Sequence, residues 1–187
     1  MSIFEYSSII VAIVLGLAIK NILDKFSYTV TVNNWIKQGW FQSIVCVLTL
    51  TIILGYFWGF WTSFYGVTEI GLLEFMLGPL ISITSLYLLS VFLPVPGSNE
   101  TTIDMDDYFL KGRKPFYTVM IIFIAQSQLS IFYYPHTEPQ LIVLSTITLM
   151  LLAIQLKTIR AHKIAYTIGG GALVFVIVAS TVITQTA

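Results

Sequence analysis

"DMDDYFLKGRKPFY", residues 104–117, sets three aspartates and three basic residues side by side in a chain that is otherwise short of charge. Only 10% of the 187 residues are charged and 57% are hydrophobic. Soluble domains carry roughly 25% charged residues. A stretch this charged belongs in water or at a membrane surface. On both sides of it run apolar segments of about 20 residues, the length that crosses a bilayer core. Read as the connection between two such segments, it makes the chain a membrane protein rather than a soluble domain. The fold class expected is an all-α polytopic transmembrane bundle.

Six segments qualify as spans, at about 4–26, 41–64, 70–93, 116–134, 141–156 and 164–184, and they form a single transmembrane domain. Mean hydropathy is +0.88. The fourth and fifth spans are separated only by "PHTEP", residues 135–139. Two prolines, a histidine and a glutamate have no partners in hydrocarbon, so a tight turn is read there. No positive residue precedes the first apolar run, so it is read as a permanent span and not a cleaved signal.

The chain has nine basic residues. Lys20, Lys25 and Lys37 flank the first connection, Lys111, Arg113 and Lys114 lie in the third, and Lys157, Arg160 and Lys163 in the fifth. With six helices, all of them fall on one side. The positive-inside rule then puts the odd connections in the cytoplasm and both termini outside. A wrong helix count would scatter the charges, so their separation supports count and orientation together.

Residues 94–115 are the longest connection. "PVPGSNE", residues 94–100, reads as a turn-rich exit from the third span. Thr102 or Asp104 is a candidate cap for a short helix, with Asp106 and Asp107 in its positive first turn. Met105, Tyr108 and Phe109 form an apolar face suited to the membrane interface. Lys111, Arg113 and Lys114 anchor at anionic headgroups. Pro115 is expected to start the fourth span, where its missing N–H costs nothing. The alternative for Asp104, Asp106, Asp107, Lys111, Arg113 and Lys114 is a docking or sensing surface for a cytoplasmic protein. "SYTVTVNNW", residues 27–35, is expected to be extended or turned. Trp35 and Trp40 suit an inner aromatic belt, and "YFWGFWTSFY", residues 56–65, an outer one.

Several chemistries are disfavoured. Zero net charge offers no field for nucleic acid. Cys46 is the only cysteine, so an internal disulfide or multi-cysteine metal site is impossible. His136 and His162 are assigned to an outer turn and an inner loop, on opposite sides, which opposes joint ligation of haem or metal. The aspartate cluster lacks the glycine and terminal glutamate of a calcium loop. No catalytic motif is present, and no enzyme, cofactor or metal is expected.

Polar residues inside a membrane are functional candidates by default. Gln126 and Ser130, four apart, share a helix face at mid-depth. Glu74 lies about a turn into the third span. These three are the candidate lining of a pore or pathway, against interhelical hydrogen bonding and a carboxylate snorkelling to the surface. Gly55 and Gly59 form a GxxxG, and Gly169, Gly170 and Gly171 interrupt the sixth span; both suit close helix packing, within the bundle or between subunits. Pro79 is expected to kink the third span and free the Phe75 carbonyl.

The start "FEYSSIIVAIVLGLAIKNIL" resembles a group of small multi-spanning bacterial membrane proteins without a settled function. Phe4, Glu5, Tyr6, Leu15 and Gly16 carry that likeness, with Trp40, Trp58, Trp61, Pro94 and the acidic-to-basic run from Asp104 to Lys114. The resemblance implies a bacterial inner membrane and no activity. The leading expectation is a non-enzymatic, multi-pass protein that self-associates as a pore or membrane effector controlled through its cytoplasmic loop. The alternatives are a small transporter with a midplane polar site and a scaffold for a soluble partner.

Overall fold

The structure, a computed structural model, describes residues 3–31, 39–64, 71–96, 104–129 and 140–168. Most of those residues are helical, with no strand among them. Helix α1 is Ile3–Thr31 and α2 is Trp40–Phe64. Next come α3 (Leu72–Phe75), a π segment (Met76–Leu80) and α4 (Ile81–Val91). Phe75, Leu80 and Ile81 all keep helical dihedrals, so these three form one continuous rod. Helix α5 is Met105–Leu129, α6 is Gln140–Gln155, and α7 comprises residues 159–168. Counting the rod once, six helices are present among the described residues, and the first three are long and apolar enough to cross a membrane.

Three boundaries, and the handling of Pro79, differ from the sequence reading. Helix α1 continues to Thr31 instead of ending near 26, so the start of "SYTVTV" is helical. Thr29 and Thr31 spend their hydroxyls on backbone carbonyls of the preceding turn, including Lys25 and Ser27. This offsets part of the β-branched penalty. Helix α5 begins at Met105, not 116, and Pro115 lies inside it. One missing N–H does not end the helix, because Pro115 is exposed and the residues before it are fixed by a cap and by packing. Helix α7 begins at 159 instead of 164, which puts His162 on a helix and not in a loop. Pro79 is accommodated by the π segment. A π turn pairs residues five apart and so passes over a residue with no donor.

Helix α1 packs along α2 and α4, α4 along α5, and α5 along α6. The buried face of α1 is Val11, Leu15, Ala18 and Ile22, spaced by three or four residues. Opposite it stand Ile83, Leu86 and Leu89 of α4 and Val45, Cys46 and Ile53 of α2. Cys46 is a buried core residue. Ser82, Ser85 and Ser90 are buried among the apolar residues of α4. Lipid tails are as apolar as leucine, so small residues that permit close packing matter more here than apolar area.

Cross-links tie one end of the bundle together, the end that carries the basic residues. The Lys25 ammonium donates to the carbonyls of Ser90, Val91 and Leu93, at 2.9 to 3.1 Å. These are orphan carbonyls at the end of α4, where a positive charge also meets the negative pole of the helix. Asn21 donates to the Ser90 hydroxyl at 3.3 Å. A Cβ on Gly112 would lie 3.0 Å from that of Pro94, so the absence of a side chain lets α5 approach the segment after α4. Asp104 caps α5: its side chain accepts from the N–H groups of Asp106 and Asp107, at 2.9 and 3.3 Å. Met105 and Phe109 are buried in the protein. The apolar face expected to lie in the membrane interface therefore packs inside the bundle.

Candidate functional site

Two polar clusters stand out. The first surrounds the π segment. The Gln126 amide nitrogen donates to the carbonyls of Leu77 and Gly78, each at 3.1 Å. Its amide oxygen accepts from the Ser82 hydroxyl, which also lies 3.0 Å from the Gly78 carbonyl. The Tyr56 hydroxyl stands 3.5 Å from the Pro79 carbonyl, a weak contact. Where the helical ladder is disturbed by Pro79, side chains of α2, α4 and α5 thus supply the donors. Irregular backbone at membrane depth needs this kind of internal satisfaction.

Gln126 is buried, so in this conformation it serves helix packing. Ser82 is the partner that sequence spacing missed, because the contact joins residues 44 positions apart. A serine one turn after a mid-span proline was the available signal. Glu74 is half-buried in the first turn of the same rod, one turn before Gly78. Ser130, Gly169, Gly170, Gly171, His136, Trp35 and Lys37 lie outside the described residues. Gly55 and Gly59 are exposed, and a Cβ at either would meet nothing within 4 Å. The GxxxG is therefore unused in packing among the described residues. Leu54, Trp58 and Trp61 are exposed beside it.

The second cluster lies at the basic end, where α2, α5 and α7 meet. Phe41 packs edge-on to Phe109 at 4.9 Å and to Tyr166 at 5.5 Å. Phe109 also meets the His162 ring at 5.2 Å, and Tyr117 stacks on that ring at 5.8 Å. His162 is completely buried. Its Nε2 lies 3.2 Å from the Leu156 carbonyl and its Nδ1 lies 3.1 Å from the Tyr117 hydroxyl. A carbonyl only accepts, so Nε2 carries the proton. In the neutral ring Nδ1 then accepts from Tyr117. Burial pushes the His162 pKa below its ordinary value, and the Arg113 charge pushes the same way, against the backbone hydrogen bond to Leu156.

Around this core sit the charges of the opening stretch. Asp106 forms an ion pair with Lys163 at 2.7 Å and receives a long contact from Gln42 at 3.5 Å. The Lys163 ammonium also stands over Trp40, 5.8 Å from its ring centre. Asp107 pairs with Lys111 at 2.6 Å on the exposed face. Arg113 donates from Nη1 to the Leu110 carbonyl, and its buried Nε has no hydrogen-bond partner. Lys114 is exposed. Of the six residues expected as a docking surface, Asp104 is spent on a cap and Asp106 on an internal pair. No group of three metal-ligating side chains occurs among the described residues.

No family model, curated protein or solved structure matches this chain, so the reading of its sites rests on its own residues.

Proposed function

We propose that this is a non-enzymatic, multi-pass protein of a bacterial inner membrane, with both termini outside, that self-associates as a pore or membrane effector controlled through its cytoplasmic segment 104–114. The observation that carries self-association is the open lane at Gly55 and Gly59. Close backbone approach is what a GxxxG offers, and no helix of the described bundle takes it up. The occupant proposed is α2 of a second copy. Control through residues 104–114 is supported by the way Asp106 and Phe109 knit that segment to α2 and α7. A shift there is felt by three helices. Docking of a soluble partner is the weaker use of the segment, since exposed Asp104 is spent on its cap and exposed Asp107 and Lys111 pair with each other.

Native mass spectrometry of the protein in mild detergent tests this reading. A closed ring of several subunits, dispersed by Gly55→Leu and Gly59→Leu, is expected. A wild-type monomer would overturn it. Orientation is tested separately by labelling single cysteines in a Cys46→Ala background: a cysteine at Lys111 should react only from the cytoplasm.

A transporter is the second reading, favoured by the π segment. Short-lived rearrangement of a π turn held by Gln126 and Ser82 would expose carbonyls at mid-span, where transporter sites are commonly built. A monomer that binds a small solute saturably, and loses it on Gln126→Leu, would favour this reading over the pore.

A further inference from the structure

We propose that His162 is a proton-operated latch: neutral, it holds α7 against α5 through Tyr117, and protonated, it releases that end of α7 from the bundle.

A second ring proton would meet only the Tyr117 oxygen, and only if that hydroxyl gives up its role as donor. Nε2 is committed to the Leu156 carbonyl and Nδ1 is the acceptor of the Tyr117 hydroxyl. The Tyr166 ring adjoins this pair, edge-on to Phe109 at 6.2 Å. A proton on Nδ1 would force Tyr117 to turn from donor to acceptor and leave its own hydroxyl proton to find another partner. The charged groups facing the ring are equally unhelpful. From α5 comes Arg113, a cation whose Nε is already unpartnered. On α7 the neighbouring Lys163 is turned to Asp106 and Trp40. The one carboxylate of the cluster, Asp106, is taken by Lys163 at 2.7 Å. From α2 come only Trp40, Phe41 and Gln42, with no charge to offer. An imidazolium here would be buried, unpaired and repelled, so it favours leaving.

The backbone provides a place to bend. Residues 156–158 are not helical and join α6 to α7. The Leu156 N–H is shared between the Leu152 and Ala153 carbonyls at 3.2 Å each, a loose end to α6. Swinging about this joint carries His162 toward water while the core of α1, α2 and α4 stays in place. The latch deepens the proposed control through residues 104–114 by naming acidification as its signal. Its test reads conformation alone, so it is decided whether or not the protein forms a pore.

The test is NMR of the full-length, 15N-labelled protein in detergent micelles, titrated from pH 8 to 4.5. His136→Gln leaves His162 as the one histidine. The expected result has three parts. The ring shows the Nε2-protonated tautomer at neutral pH. It titrates below about 6.5, the ordinary histidine value. Amide exchange protection of residues 159–168, corrected for intrinsic rates, falls by up to about tenfold for each pH unit between about 6.5 and that midpoint and levels off below it, while α1 and α2 keep theirs. His162→Gln can accept from Tyr117 and donate to Leu156 without titrating, so it should hold α7 closed throughout. The latch is overturned if His162 titrates at or above 6.5, if it titrates with no loss of protection in 159–168, or if the glutamine variant retains the pH response. If the glutamine variant does not fold, the titration of the histidine itself still decides.

Discussion

The amide nitrogen of Gln126 lies 3.1 Å from the carbonyl oxygen of Gly78, the residue before the proline of the third rod. Helix α5 thereby supplies what the backbone around Pro79 lacks. If this is why the glutamine is buried, its value depends on the proline. Gln126→Leu is expected to destabilise the protein by about 2–3 kcal/mol, from three interhelical bonds at about 0.6 kcal/mol each plus the cost of stranding carbonyls. Pro79→Ala restores a donor and allows the ordinary ladder to run through, so in that background the same substitution should cost much less. Unfolding in mixed micelles, arranged as a double-mutant cycle, measures the coupling. Equal costs in the two backgrounds would rule out this account.

The Asp106–Lys163 pair gives a second expectation. Its side chains are 33% and 22% exposed, which places it between a surface pair and a buried one. Asp106→Asn or Lys163→Met should each cost about 1–2 kcal/mol, more than the usual surface pair and less than a fully buried one. One molar salt, with a screening length of about 3 Å, should remove little of that. Loss of the whole effect in salt would mean that the pair is open to solvent.

Lys25 holds the end of a helix that is not its own. Three carbonyls beyond or at the end of α4 accept from it. Lys25→Met keeps the apolar stem and removes the donors, and should cost about 1–2 kcal/mol, in the range of a cation at a partly buried helix end. Lys20→Met is the control, because Lys20 pairs with Asp24 on the exposed face of the same helix and should leave stability nearly unchanged. Comparable losses at both positions would contradict the capping role.

Much of the architecture was legible because each apolar run is long and each basic cluster sits between runs. The end of α2 at Phe64 and that of α6 at Gln155 follow the hydropathy closely. The start of α5 does not. Hydropathy sees Asp106 and Arg113 as loop residues, whereas the structure uses them inside the basic end. A charge compensated by a residue 57 positions away, as Asp106 is by Lys163, leaves no local mark. His162 was hidden for the same reason: its partners Tyr117 and Leu156 are set by how α5 meets α7. Gln126 was found by its polarity at mid-span. Its role was not, since Leu77, Gly78 and Ser82 lie on another helix.

Stability should also depend on pH through His162. Its folded-state pKa is lowered, by burial first and by Arg113 as well. The unfolded chain therefore binds a proton at about pH 6.5 and the folded protein only at lower pH. Between those values the unfolded state holds more protons, so stability rises with pH. The contribution is complete above about 6.5 and is lost as pH falls toward the folded value. Thermal midpoints in detergent should fall with acidification over that window, and His162→Gln should flatten the curve. An unchanged slope in the variant would assign the acid sensitivity to other groups.

Gly112 and Gly16 separate packing from helix propensity. Both are helical, and alanine is favoured over glycine there by about 1 kcal/mol. At Gly16 a Cβ meets nothing within 4 Å, so Gly16→Ala should be neutral or mildly stabilising. At Gly112 the new Cβ would stand 3.0 Å from the Pro94 Cβ and 3.4 Å from its Cα. A proline ring in a buried stretch has no flexible end to move aside, so the segment or α5 must shift. Overpacking of this kind costs about 1–3 kcal/mol, which exceeds the gain in propensity. Gly112→Ala should therefore lose stability by up to about 2 kcal/mol, and Gly112→Val more. Because α5 carries Asp106 and Arg113 on the same rod, the shift should also weaken the Asp106–Lys163 pair. A double-mutant cycle of Gly112→Ala with Lys163→Met measures this coupling, and strict additivity would mean that the approach of α5 to Pro94 does not set the geometry of the basic end.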